Sequence, residues 1–301
     1  MKILITGASG LVGSRLMPAL KSLGHEAIGL SREKSKPRGD SAFWDPQGGF
    51  IDSGALAGCD AAVNLAGESI AAGRWNAKRK RAIRDSRVNA TTTIAQALAT
   101  LEPRPRVFVN ASAVGYYGSR GDELLDESSP SGSGDFLSGV CRDWEAATEP
   151  ARRAGIRVVM TRFGMILSKQ GGALATMLTP FSLGLGGKVG RGQQYMSWIA
   201  IDDVVGAIVH CLQTETIGGP VNVVAPQPVT NAEFTKTLGH VLSKPTIFPM
   251  PAFAAKLVFG EMGEELLLGS QRVRPTRLLE SGYVFKYPEL EPALRHVLHG
   301  N

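Results

Sequence analysis

KILITGASGLVG, residues 2–13, joins an apolar run to a glycine-spaced turn and then to a helical repeat. Ile3, Leu4 and Ile5 form a strand-like run that Thr6 and Gly7 interrupt. Leu11, Val12, Leu16 and Leu20 recur at the spacing of one helix face. The predicted unit is strand, tight turn, helix. Its glycines, Gly7, Gly10 and Gly13, are one residue wider in the first interval than the G-x-G-x-x-G dinucleotide pattern. Gly7 lets the chain leave the strand in a conformation other residues resist. Gly10 leaves the backbone bare for a diphosphate, and Gly13 lets the helix approach the strand. Free N–H groups and the positive end of the helix dipole would hold the diphosphate. Glycine is 36 of 301 residues, so spacing alone decides little; placement between strand and helix points to a nucleotide.

The first half continues in the same rhythm. Glu26–Ser31 reads as a second strand, ending in Ser31-Arg32 with Lys34, Lys36 and Arg38 beyond. A carboxylate at this strand end would hold a ribose 2′-hydroxyl and repel a 2′-phosphate, whereas a guanidinium binds phosphate bidentately. Arg32 therefore favours NADP(H) over NAD(H), with Glu33 expected to point outward. Asp60–Asn64 reads as the third strand. It runs into Leu65-Ala66-Gly67-Glu68, where small residues would bring bare backbone to the adenosine and ribose. Trp75 to about Leu101 is a long helix, closed by Pro103 and Pro105. Val107–Ala111 is a fourth strand leading into Ser112 and Gly115-Tyr116-Tyr117-Gly118. Phe136–Ala154 is a helix, and Ile156–Thr161 a fifth strand ending at Arg162-Phe163-Gly164. This alternation predicts a Rossmann-type, doubly wound parallel α/β sheet with right-handed crossovers. Ligands of such sheets sit at the C-terminal strand ends, where all five singled-out segments fall. The expected cofactor contacts are Gly7, Ser9, Gly10, Leu11, Val12, Gly13, Gly67, Glu68, Ser112, Arg162 and Met165, with Ser31, Arg32, Leu65 and Ala66.

From Gly171 the rhythm changes. The expected division is a nucleotide-binding domain over 1–170, with returning segments at about 195–225. A smaller C-terminal lobe over 171–301 is mostly helical after 249, and substrate lies between the two. Met196–Ile201 reads as a strand, with Asp202 capping the helix Asp203–Leu212. Thr230 and Glu233 form a capping box.

Composition excludes several classes. Hydrophobic content of 43% with 20% charged residues suits a globular chain, and no apolar run approaches the ~20 residues that span a bilayer. The apolar start is too short for a secretory signal. Cys59, Cys141 and Cys211 are odd in number and contain no C-x-x-C, which argues for a reducing, cytoplasmic setting without disulfides or zinc. His296 and His299 read as solvated tail. The net charge of +6 is concentrated in Arg74–Arg87. Without interleaved stacking aromatics this reads as a solvated helix face, with a residue or two reaching a cofactor phosphate, rather than a nucleic-acid surface. The expected partner is a polar small-molecule substrate. A Gly-x-Ser-x-Gly elbow and a Walker lysine are both missing, which removes serine hydrolases of the α/β type and P-loop NTPases.

TGASGLVG (6–13), NLAGESI (64–70), RWN (74–76), SAVGYYG (112–118), DFLSGVCRDWE (135–145), GLGGKVGRGQQYMSWIAIDD (184–203) and GSQRVRPTRLLESGY (269–283) together resemble the atypical epimerase family of the extended short-chain dehydrogenase/reductases. The resemblance covers nearly the whole chain. It implies NADP(H) binding, with Ser31, Arg32, Leu65, Ala66 and Arg87 at cofactor-contacting positions. Some bacterial relatives carry labels such as sugar-nucleotide epimerase or cell-division inhibitor.

The wider superfamily pairs a Ser or Thr with Tyr-x-x-x-Lys: the tyrosine exchanges the proton while hydride moves, and the lysine lowers its pKa from about 10. Ser112 suits the serine role. Counting back from Trp144-Glu145, the tyrosine falls at Leu137 and the lysine at Cys141, and this chain contains no Tyr-x-x-x-Lys. Tyr117, and after it Tyr116, are the candidate proton donors, although either could simply pack. Arg162, Trp198 and the glycine loop 184–192 are candidate substrate-side elements. Two functions follow: an NADP(H)-dependent oxidoreductase or epimerase, or a nucleotide-binding regulator or scaffold that has lost turnover, which those labels would link to cell division.

Overall fold

The run Ile3–Ile5 is fully buried at the middle of the central sheet in the computed structural model, which describes residues 1–33 and 40–300. Eight strands form that sheet: β1 (Lys2–Thr6), β2 (Glu26–Ser31), β3 (Ser41–Asp45), β4 (Phe50–Ile51), β5 (Ala61–Asn64), β6 (Val107–Ala113), β7 (Arg157–Phe163) and β8 (Gly219–Val223). Their spatial order is β8-β7-β6-β5-β1-β2-β3-β4. Every neighbouring pair is parallel except β3 with β4. The order reverses beside β1, so the crevice of the doubly wound sheet opens where the glycine turn leaves that strand.

Helices α1 (Gly13–Ser22), α2 (Ala77–Ala99), α3 (Phe136–Ala146) and α4 (Ile201–Gln213) pack about the sheet. Ile3 and Ile5 face Leu16 and Leu20 of α1 and Val204 and Ile208 of α4. Leu4 and Phe108 face Ile94 and Leu98 of α2 on the other side. Each such side chain contributes about 1.5–3 kcal/mol by leaving water. A third cluster joins Leu167, Phe181, Trp198, Phe234 and Leu294 in the C-terminal half. That half also holds α5 (Ala252–Phe259) and α6 (Glu261–Leu267). Among the described residues no helix is long and apolar enough to cross a membrane.

The structure corrects several details. β3 and β4 extend the sheet in a stretch where no strand was expected. The segment Phe136–Ala154 is two helices, α3 and Glu149–Arg153. Met196–Ile201 breaks into Tyr195–Met196 and Trp198–Ala200. Asp202 does not cap α4: the N-cap is Ala200, and no side chain bonds there. Asp203, fully buried, instead accepts hydrogen bonds from the Tyr283 hydroxyl and from the Lys286 and Tyr287 amides at 2.8–3.0 Å. His296 is not solvated tail; it lies against Tyr287 and meets Asp202 at 3.1 Å. The capping box of Thr230 and Glu233 forms as read.

Candidate nucleotide site

The turn after β1 has the geometry its glycines suggest. Gly7 sits at φ +65°, and a Cβ there would lie 2.8 Å from the Leu65 backbone. A Cβ on Gly13 would lie 2.2 Å from the Gly7 carbonyl oxygen, so α1 approaches β1 as no side chain allows. Gly10 donates its own N–H to the Gly7 carbonyl at 2.9 Å. The amides of Leu11, Val12 and Gly13 meet no protein acceptor among the described residues. That start of α1 is a ready anion site.

Buried side chains brace the strand ends around it. Thr6 Oγ1 donates to Asn64 Oδ1 at 2.5 Å and accepts the Leu65 and Ala66 amides. Asn64 Nδ2 donates to Thr91 of α2 and to Asn110 of β6. The register sets Thr6 beside Asn64 and Asn64 beside Asn110. Polar residues so deep in a sheet are tolerable because each finds a partner, and they hold the loops at a common level.

A cleft of about 1400 Å³ opens over these ends. Gly7, Ser9, Gly10, Ser31, Arg32, Leu65, Ala66, Gly67 and Glu68 all line it. Glu33 lines it too, contrary to the expectation that it points outward. Lys34, Lys36 and Arg38 lie outside the described residues. The cleft also draws on residues not expected there. Ser41, Phe43 and Asp45 come with β3; Lys78, Arg81, Ser86 and Asn89 form one face of α2. The second group had a signal in the basic run and its helical spacing; the first depended on a strand that was missed. Glu68 is restrained, its carboxylate paired with Arg79 at 2.7 Å and its amide bonded to Ser86.

Residues 3–224 match the NAD dependent epimerase/dehydratase family, and residues 250–297 match a domain of unknown function, DUF1731. The chain belongs to the epimerase/dehydratase family. It is 41% identical to the epimerase family protein SDR39U1 of Bos taurus, over 99% of this chain and all of that one. The crystal structure of human SDR39U1 (isoform 2) with NADPH superposes with a TM-score of 0.89 at 36% identity, covering 99% of each chain. A nucleoside-diphosphate sugar epimerase from Corynebacterium glutamicum, 42% identical, superposes with a TM-score of 0.81 over 98% of this chain and 57% of that one.

Within this epimerase/dehydratase fold, the side chains of Ser112, Tyr116, Tyr117, Arg162 and Met165 are not among those lining the cleft, and Arg87 lies against Gly67, which lines it. Leu11 rests against Gly171 and Gly172. Met165 donates its amide to the Ser197 carbonyl. Arg87 donates to Ile83 of its own helix and lies over the Trp144 ring, and burial lowers its pKa. Ser112, Arg162 and Asn222 stand side by side on β6, β7 and β8. Their side chains join one buried network. Ser112 Oγ donates to Glu145 at 2.7 Å, and Arg162 binds both oxygens of that carboxylate at 2.8 Å. Arg162 also donates to the Tyr117 hydroxyl at 3.0 Å, which donates to Asn222 at 2.7 Å.

The hydroxyls of Ser112 and Tyr117 are therefore inside the protein in this conformation, 1% and 0% exposed as residues, and not presented to a substrate. Burial pushes the Tyr117 phenol up to about 12. Arg162 is spoken for by Glu145 and lies 3.5 Å over the Tyr116 ring, so it is an internal ion-pair partner rather than a ligand contact. Trp198 is likewise core, donating to the Gln227 carbonyl. The glycines of loop 184–192 serve close packing: a Cβ on Gly187 would lie 2.0 Å from the Phe248 carbonyl oxygen.

Leu137 and Cys141 lie against Gly115, just beyond the end of β6. A Cβ on Gly115 would lie 3.4 Å from Leu137 and 3.9 Å from the Cys141 sulfur. Cys141 is buried, its thiol pushed up to about 12 by burial first and Glu145 second, so it is neutral and not a fixed cation. Beside them a second cavity of about 460 Å³ is bounded by Gly115, Leu137 and Asp135 on one side and by Lys256, Glu261, Glu264 and Glu265 of α5 and α6 on the other. Among the described residues no group of three or more His, Cys, Asp or Glu is arranged to hold a metal.

Proposed function

We propose that the chain binds NADP(H) in the larger cleft and works as an oxidoreductase or epimerase on a polar small molecule held in the smaller cavity. The observation that carries the cofactor assignment is the placement of three cations on a cleft that also carries the acids Glu33, Asp40, Asp45, Glu68 and Asp85. Arg32 at the end of β2 and Lys78 and Arg81 of α2 all line it. Gly7, Ser9 and Gly10, with the free amides at the start of α1, suit the diphosphate, and Leu65 to Gly67 suit the ribose. The NADPH of the human relative supports the same reading. A bound reduced nicotinamide would supply hydride to a carbonyl carbon. This chain's residues then have to orient the carbonyl and provide the proton.

Calorimetric titration tests the assignment. NADPH binds more tightly than NADH, and Arg32→Ala costs about 1.5–3 kcal/mol, ten- to a hundredfold in NADPH affinity, while leaving NADH affinity unchanged. Equal affinities for the two nucleotides in the wild type would remove the 2′-phosphate reading. A second reading is favoured by Leu137 and Cys141, which replace the acid and the cation of the superfamily. In it the chain is an NADP(H)-dependent regulator or scaffold without turnover. It predicts nucleotide binding with no consumption of NADPH in the presence of any carbonyl compound.

A further inference from the structure

We propose that Glu265 is the proton-transferring residue of this protein, acting where the missing tyrosine would act. The inference rests on the oxidoreductase reading above. Glu265 belongs to α6, in the region matching the domain of unknown function, yet its carboxylate reaches the start of α3. One oxygen accepts the Phe136 amide and the other the Leu137 amide, each at 2.9 Å. Leu137 is the position at which the Tyr-x-x-x-Lys spacing places the tyrosine. Glu265 and Leu137 line the same cavity as Gly115, which follows the end of β6.

The other acids on that cavity are engaged. Glu261 pairs with Lys80 at 2.5 Å, and Glu264 with Lys256 at 2.6 Å. Asp135 caps α3, accepting the Ser138 amide and hydroxyl. Glu265 alone among these four bonds only to backbone amides, so a proton can come and go without breaking an ion pair. Burial raises its pKa from the ordinary 4.5, and the charges of Asp135 and Glu261 add to that, against the two amides, which lower it. A carboxyl shifted this way is better matched to proton transfer near neutrality.

The reaction balances with a reduced nicotinamide as the hydride donor. Hydride adds to the carbonyl carbon, the C=O π pair moves to oxygen, and that oxygen takes the proton of Glu265. The products are the alcohol, the oxidised nicotinamide and the Glu265 carboxylate, which regains a proton from water. In the oxidative direction the carboxylate accepts the hydroxyl proton.

Two measurements on the full chain test this. Carboxyl ¹³C shifts of glutamate-labelled protein, assigned with Glu265→Gln, should show Glu265 titrating above 4.5 and its titration moving when NADPH is added. A midpoint at or below the ordinary value would overturn the proposal. NADPH oxidation is then followed against a panel of simple aldehydes and ketones. Glu265→Gln should lower kcat about 10²–10⁴-fold and remove the pH limb of the wild type, with NADPH affinity unchanged. If Glu265→Gln fails to fold, Glu265→Asp serves instead: kcat falls and the limb persists. Turnover unchanged in Glu265→Gln overturns the proposal and leaves the oxidoreductase reading standing. A wild type that binds NADPH and oxidises it with none of the panel overturns both and leaves the regulator.

Discussion

Glu127 shows how much a single buried atom can disclose. It is 7% exposed, and one of its oxygens accepts the Asn222 amide at 3.0 Å and the Arg277 amide at 3.2 Å. The other oxygen is buried and has no hydrogen-bond partner among the described residues. Burial raises its pKa above the ordinary 4.5 against the pull of those two amides. The folded state therefore holds its proton more tightly than the unfolded chain does. That contribution to stability is fully present below pH 4.5 and is lost as pH rises through the raised folded value. Glu127→Gln keeps the shape and one acceptor oxygen while removing the charge. Its melting temperature should exceed that of the wild type at pH 7–8, and the difference should shrink as pH falls below 4.5. Thermal melts across that range check it, and a constant or reversed difference would refute the assignment. The same residue bears on Tyr117, because Asn222 bonds both.

At the level of elements, the unit strand–turn–helix was legible because its signals are local. The run Ile3–Ile5, the three glycines and the leucine spacing all lie within twenty residues. Gly13→Ala tests that unit. The added Cβ would lie 2.2 Å from the Gly7 carbonyl oxygen and 2.7 Å from Ala8 Cα, both backbone atoms that cannot swing aside. The helix must retreat from the strand, at a cost of about 1–3 kcal/mol or more, and the amides at its start move with it. Nucleotide titration should show NADPH binding lost or reduced by at least about tenfold, with the protein still folded by circular dichroism. Unchanged affinity would mean that the turn carries no ligand. Elements whose evidence is distant were less legible. β3 is five residues long, and β4 only two. Ser112 and Tyr117 look like a catalytic pair in sequence because they follow one strand. What they do is set by Arg162 and Asn222, which the register of β6, β7 and β8 brings in from 50 and 110 positions away from Ser112, and by Glu145 of α3, 33 positions away. Glu265 was out of reach for the same reason: nothing near it in the chain announces that it meets α3.

The molecule as a whole is tied together from its C-terminal end. Leu278 is buried in the cluster beneath the sheet, with Tyr283 and Phe285 packed beside it. Leu290, Leu294 and Val297 belong instead to the third cluster, with Trp198 and Phe234. Between these two anchor points the chain is held by Asp203 at the start of α4, whose carboxylate takes the Tyr283 hydroxyl and the Lys286 and Tyr287 amides. An acid pair that reads locally as helix capping is therefore a long-range clasp, and its strength follows from several hydrogen bonds converging on one buried side chain. Asp203→Ala leaves two backbone donors without their acceptor, while the Tyr283 hydroxyl keeps the backbone carbonyl of position 203 at 3.1 Å, a loss of about 2 kcal/mol or more. Because α4 keeps its apolar contacts with the sheet, the loss should be local. Hydrogen exchange is expected to rise across residues 276–299 and to stay slow across Val107–Ala113 of β6, with NADPH affinity within about twofold of the wild type. A uniform rise over the whole chain would instead mean that Asp203 supports the global fold, and that the C-terminal segment and the sheet unfold as one unit.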